Sequence, residues 1–184
     1  MAGFDRFGVQ GQGTPSGDAM PDGNSGWRLG WEIEIALTLS GGPRWWSEGM
    51  GDVFLKRLEE LQPSQLFVSA EKLSRVMRED SAVAVEGLEP VPVKKLGDRV
   101  VLTDGHTRAL AAVLSGLAEI RVFWDEDDLD WEAYEICVAW CREEAIHSVA
   151  DLEDRVVSSK AYKEVWLERC QEMRRELEQR RRAR

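Results

Sequence analysis

Apolar positions along the chain change rhythm several times. Residues 27–39 place an apolar side chain at every second position: Trp27, Leu29, Trp31, Ile33, Ile35, Leu37 and Leu39. Arg28, Gly30, Glu32, Glu34, Ala36 and Thr38 stand between them, a period of two that predicts a β-strand. Gly41-Gly42-Pro43 ends it. Residues 1–26 show no period and are rich in Gly, Ser, Pro and Asp. Eleven of the sixteen glycines precede residue 50, so this leader reads as flexible.

From residue 52 short elements alternate. Val53 to Leu61 carries the spacing of a short amphipathic helix, stopped by Pro63. Glu71–Met77 predicts a second helix, with Ser69 placed to cap it. Val91-Pro92-Val93 and Arg99-Val100-Val101-Leu102 predict two short strands joined through the turn Leu96-Gly97-Asp98. Ala109–Leu114 predicts a helix, and Gly116 supplies its left-handed C-terminal cap. Glu119–Trp124 predicts a strand parallel to the preceding one, with the helix as crossover.

Trp131, Tyr134, Cys137, Val138 and Cys141 recur at helical spacing. A last helix begins near Ala161, with Tyr162, Val165, Trp166, Cys170, Met173 and Leu177 as its apolar stripe. The expected class is α+β: a small mixed sheet with packed helices, followed by a C-terminal helical extension. Four segments follow: a leader at 1–26, a strand and Gly/Trp-rich connector at 27–51, a core domain at 52–124, and helices at 125–184.

Composition narrows the function classes. The 184 residues, 43% hydrophobic with eight Trp, suffice for one domain with a sizeable core. A net charge of -10 disfavours a general nucleic-acid binder, so specific DNA binding is not expected. No apolar run is long enough to span a bilayer, and no basic-then-apolar start suggests a signal peptide. Three Cys, an odd number without framework spacing, fit a reducing cytoplasm.

Cys137 and Cys141 share one helix face and read as core residues; a zinc site needs two further ligands, and His147 is the only local addition. The run Asp125-Glu126-Asp127-Asp128-Leu129-Asp130 suits a divalent cation but lacks the glycine and terminal Glu of an EF-hand loop. An acidic first turn favoured by the helix dipole is the preferred reading. At the far end Arg174, Arg175, Arg180, Arg181, Arg182 and Arg184 face only Glu176 and Glu178. A solvated cationic helix end is preferred there over a contact with phosphate or an acidic partner.

Chemistry concentrates at Leu102-Thr103-Asp104-Gly105-His106-Thr107-Arg108-Ala109-Leu110-Ala111-Ala112. A strand runs into a polar turn and an alanine-rich helix opens behind it, so unpaired backbone N–H groups surround one point suited to an anion. Asp104 can cap the helix or hold a metal or hydroxyl. Gly105 allows close backbone approach. His106 can donate to phosphate or act as a general acid/base near neutral pH. Thr107 adds a hydroxyl, and Arg108 a bidentate fork for phosphate oxygens.

Pro90-Val91-Pro92-Val93, the hairpin, Thr103 to Ala112, Gly116 and Ile120-Arg121-Val122 together resemble the ParB/sulfiredoxin-like superfamily. Leu61-Gln62-Pro63-Ser64-Gln65-Leu66 is similar to the family's opening element, where a ligand-binding loop precedes the first helix. The resemblance covers roughly 52–124 and is strongest at Gly105, His106, Arg108 and Ala111. It implies a nucleotide phosphate held at the turn by Gly105, His106, Thr107 and Arg108, with ATP, ADP or CTP as the nucleotide and Mg²⁺ at Asp104. Catalytic roles would fall to Asp104 and His106.

Within the superfamily, sulfiredoxin chemistry is excluded, because His106 stands where its nucleophilic Cys is required. Full ParB function implies a DNA-reading helix-turn-helix, and the acidic segments after Trp124 offer no such recognition helix. Asp104-Gly105-His106-Thr107-Arg108 is also similar to the Asp-Gly-His-His-Arg motif of a free serine kinase. There, however, Gln65 aligns with the catalytic Glu, and an amide cannot act as a base. The expected function is a ParB-like nucleotide-binding protein, as a nucleotide hydrolase or switch. A kinase with a small-molecule acceptor, and a non-catalytic protein or nucleic-acid interaction module, are the alternatives.

Overall fold

The computed structural model describes residues 52–79 and 87–184. The leader and the alternating strand at 27–39 lie outside the described residues. Five strands form one mixed sheet: β1 (Phe54–Arg57), β2 (Leu61–Gln62), β4 (Val91–Leu96), β5 (Arg99–Leu102) and β6 (Glu119–Trp124), in the order β1-β6-β4-β5-β2. β3 (Val68–Ser69) pairs in parallel with β7 (Val156–Val157) as a separate ribbon. The helices are α1 (Ala70–Glu79), α2 (His106–Leu114), α3 (Trp131–Glu143), the short α4 (Ser159–Tyr162) and α5 (Glu168–Arg182). The expected α+β class, with its helical extension, is what the chain adopts.

The β4–β5 hairpin forms as its turn predicts, with Leu96 opposite Arg99 and Gly97 at φ 63°. Gly116 ends the α2 region at φ 78°, a left-handed cap that other residues resist. Two expectations need correction. Val53 to Leu61 is not a helix but β1, a 3₁₀ turn at Leu58–Glu60, and β2. Its i, i+3 spacing fits a helix, yet β1 bonds the free edge of β6 from Phe54↔Val122 to Arg57↔Glu119. Long-range pairing overrides the local pattern.

The second correction concerns β6, which runs parallel to β4, not to the preceding β5. Both sides of β5 are already filled, by β4 through the tight hairpin and by β2 in parallel. The α2 crossover therefore delivers β6 to the open edge of β4, and β6 lies antiparallel in direction to β5.

The core is continuous from sheet to extension: Leu61, Val91, Leu110, Ile120, Tyr134, Cys141, Trp166 and Leu177 belong to one buried cluster. Leu110, Ala111 and Ala112 are completely buried, so small side chains bring α2 close to the sheet. The last helix is not uniform from Ala161: α4 is capped by Ser158, which accepts from Ala161 N–H at 3.2 Å, and a π turn spans Lys163–Leu167 before α5. That wider turn leaves Val165 on the exposed side, while the rest of the expected stripe is buried. Ser69 ends β3, and its hydroxyl meets that of Ser159 at 2.8 Å.

Asp130 caps α3 by accepting from Ala133 N–H, as an acidic first turn should. One arginine of the tail is structural. Arg181 donates to both Asp130 oxygens at 2.9 and 2.7 Å and to Glu132 Oε2 at 2.9 Å, clasping α5 to the start of α3. Those bonds hold the Asp130 carboxyl below its usual range despite the opposing desolvation, which is the largest single influence on it. Arg181→Ala is expected to cost about 1 kcal/mol, since the site is partly solvated. Urea unfolding against Arg181→Lys checks it: Lys keeps the charge but not the fork, and is expected to recover only part of the loss.

Candidate functional site

Three contacts fix the strand end that carries the motif. Thr103 N–H donates to the Pro92 carbonyl at 3.1 Å, and the Thr103 hydroxyl donates to Asp125 Oδ2 at 2.5 Å. Its carbonyl accepts from the Tyr134 hydroxyl of α3 at 2.9 Å. The helical extension thus holds the turn directly.

Gly105 is the N-cap residue of α2, at φ 74° and ψ 19°. A Cβ there would lie 2.6 Å from Val91 Cγ1 and 3.0 Å from the nearest guanidinium nitrogen of Arg108. Packing therefore demands this glycine in addition to any ligand.

His106 is buried in the first turn of α2. Its Nε2 accepts from Ser64 N–H at 3.0 Å, which places the ring proton on Nδ1. The Ser64 hydroxyl donates to the Leu102 carbonyl at 2.7 Å, so the loop after β2 is tied to the end of β5. Burial pushes the imidazole pKa down to about 3. This corrects the expectation of titration near neutrality: at physiological pH His106 is a neutral hydrogen-bonding group, with Nε2 already engaged. Thr107 is buried beside it.

Arg108 points elsewhere than expected from a simple phosphate fork. It donates to Glu89 Oε2 at 3.2 Å and to the carbonyls of Glu89 and Pro90 at 3.4 and 3.2 Å. Its other terminal nitrogen lies 4.0 Å from Asp104 Oδ2.

Ser64, Gln65, Thr103, Asp104 and His106 line one side of a small cleft; Tyr134, Cys137 and Trp166 line the other. The sequence pattern assigns those last three to apolar helix stripes, and nothing in their spacing marks a second role. Asp104 is the one carboxylate in this lining. The amide of Gln65 donates to the Phe67 carbonyl at 2.6 Å.

Among the described residues no group of three His, Cys, Asp or Glu is placed to hold a metal ion. Cys137 and Cys141 are core residues as expected, and burial pushes the Cys141 thiol up, away from thiolate chemistry. Among the described residues no helix is long and apolar enough to cross a membrane.

No family model matches the chain, and no curated protein does so. Solved structures are similar to it, among them the following three. Protein Atu1540 from Agrobacterium tumefaciens is 18% identical with a TM-score of 0.37, over 52% of this chain and 49% of that one. Sulfiredoxin from Arabidopsis thaliana is 19% identical with a TM-score of 0.35, over 41% and 86%. The C-terminally truncated chromosome-partitioning protein ParB from Caulobacter crescentus, complexed with CTP-γ-S, is 23% identical with a TM-score of 0.33, over 50% and 54%. The matches span about half of the Atu1540 and ParB chains. At these identities and TM-scores the likenesses carry no argument about this chain, and any reading of the site has to come from its own residues.

Proposed function

We propose that the chain is a nucleotide-binding protein that holds the phosphates of ATP, ADP or CTP at the first turn of α2, working as a nucleotide hydrolase or switch. One observation carries this reading. Of the seven buried polar side chains among the described residues, six lie at Gln62–Gln65, from the end of β2 into its loop, and at Thr103–Thr107, around this turn: Gln62, Ser64, Gln65, Thr103, His106 and Thr107. Buried polar groups are costly unless hydrogen-bonded, and their concentration at the N-terminus of a helix suits an anion.

Each residue then has a defined task. The first-turn N–H groups and Thr107 meet phosphate oxygens, and Arg108 exchanges Glu89 for a phosphate. His106, neutral, orients the Ser64 loop. Asp104, the one carboxylate of the cleft lining, would share Mg²⁺ with the phosphates, because Mg²⁺ keeps several waters and needs few protein carboxylates. Asp104 also supports a second reading, phosphoryl transfer to a small-molecule acceptor whose hydroxyl it would position.

Thermal melts with Mg²⁺ and each nucleotide test this. At about a hundred times Kd, ligand stabilises by about 2.7 kcal/mol, a Tm rise of roughly 5–10 °C for a chain of this size. Arg108→Ala is expected to reduce that rise to near zero at the same concentration. Absence of a shift with ATP, ADP and CTP alike would overturn the reading. Phosphate appearing on serine or another amino acid would select the kinase.

A further inference from the structure

The two edges of the five-stranded sheet differ. β2, at one end, is buried at both Leu61 and Gln62. β1, at the other, alternates half-buried and exposed positions and has no strand beyond it among the described residues. Leu58 N–H donates to the Ala118 carbonyl at 3.0 Å, on the β6 side. Hydrogen-bonded and non-bonded pairs alternate along an antiparallel ladder, so Lys56 and Phe54 also face β6. The N–H and C=O groups of Leu55 and Arg57 therefore point outward.

Apolar side chains gather at the same edge. Among the described residues five large apolar side chains are exposed, and three stand here. They are Val53 at 38%, Leu55 at 54% and Trp124 at 39%, whose ring lies 5.2 Å from that of Phe54. A bare edge is a template for another strand, and proteins cover it or guard it with charge. The charges of β1 are weak guards, because Lys56 pairs with Glu60 and Arg57 with Glu59.

The chain itself brings an occupant to this edge. Residues 1–51 lead directly into β1, with Gly51 three positions before Phe54. Within them, 27–39 alternates seven apolar side chains with Arg28, Gly30, Glu32, Glu34, Ala36 and Thr38. An apolar face of that length left in water would be a large exposed patch. Residues 40–52, which include Gly41-Gly42-Pro43, give enough chain to reverse direction before β1. We propose that residues 27–39 add to the sheet as a sixth strand, antiparallel to β1. Their backbone takes the outward N–H and C=O groups of Leu55 and Arg57, and their apolar side chains meet those exposed along the edge. The folded unit then begins near Trp27 rather than Asp52.

Amide hydrogen exchange and backbone NOEs on the full ¹⁵N-labelled chain test this. Leu55 and Arg57 are expected to exchange about a hundredfold or more slowly than in an unfolded chain, as a paired strand does. Both are expected to show NOEs to amides within 27–39. Ile33→Asp combined with Ile35→Asp charges the apolar face and is expected to release most of that protection. Ala111 and Ala112, completely buried in α2, should keep theirs and report that the rest stays folded. Glu34→Gln, at a polar position of the same segment, is expected to change neither.

Exchange of Leu55 and Arg57 at unfolded-chain rates in the wild type would overturn the proposal. So would NOEs that appear only between labelled and unlabelled copies and fade on dilution, since a second copy would then hold the edge. Equal loss of protection in Glu34→Gln and in the double Asp variant would also count against it, because the apolar face would not be what docks. Should the Asp variant fail to fold, the wild-type NOEs decide alone, and their absence sinks the sixth strand.

Discussion

Lowering the pH from about 7.5 to about 4.5 is expected to remove about 3 kcal/mol of unfolding free energy from the wild-type chain beyond what His106→Gln loses. The sign follows from the direction of the shift. His106 has an ordinary value of 6.5 when unfolded and about 3 in the fold, because burial disfavours the imidazolium. Between those values the unfolded chain binds the extra proton, so stability is intact above about 6.5 and declines as the pH falls toward about 3.

Glutamine is the informative replacement. Its carbonyl oxygen can accept from Ser64 N–H as Nε2 does, but it does not titrate. Taking the difference between the two proteins at each pH cancels the cost of the substitution itself. It also cancels the carboxylates, including Asp130 and Asp151, whose depressed values withdraw stability at lower pH in both proteins. Urea unfolding at a series of pH values measures it; parallel curves for the two proteins would show that His106 is not held neutral.

Gly105→Ala is expected to destabilise the chain by about 3 kcal/mol. A left-handed φ costs a residue with a Cβ about 1–2 kcal/mol, and overpacking adds about 1–3 kcal/mol. Here the added carbon meets Val91 Cγ1 at 2.6 Å, on a strand in the middle of the sheet that cannot easily retreat. The neighbouring guanidinium of Arg108 can move, so the cost lies mainly with Val91. Gly105→Ala combined with Val91→Ala removes the 2.6 Å contact with Cγ1, leaves Val91 Cβ at 3.1 Å and keeps the strain, and is expected to show less than the sum of the two single effects. Chemical denaturation of all four proteins decides it. Additivity would locate the glycine's role in backbone conformation alone.

Much of the site could be read along the chain because its pieces are local. Thr103 to Arg108 lie within one strand-to-helix turn, where residue order alone sets who sits at the N-terminus of α2 and where a glycine is required. The same holds for the β4–β5 hairpin and for the Asp130 cap. The direction of the Arg108 side chain was not legible. It is set by Glu89 and Pro90, eighteen or nineteen residues earlier, and no periodicity links them. Nor could spacing show that His106 would be dry, since its burial depends on the Ser64 loop, 42 residues earlier, leaving the neighbouring parallel strand β2 beside it.

Residue order was enough to settle the α+β class, the hairpin, the motif turn with its glycine, and the apolar faces of the later helices. Each follows from interactions within a few residues, where backbone preference and side-chain period act directly. Tertiary structure alone decided that Val53–Leu61 is strand rather than helix, that β6 joins β4, and that Tyr134, Cys137 and Trp166 wall the cleft. Those outcomes depend on which edges and faces were still open after the local elements had formed. A one-dimensional pattern records what a segment can bury, but not which partner will be there to bury it.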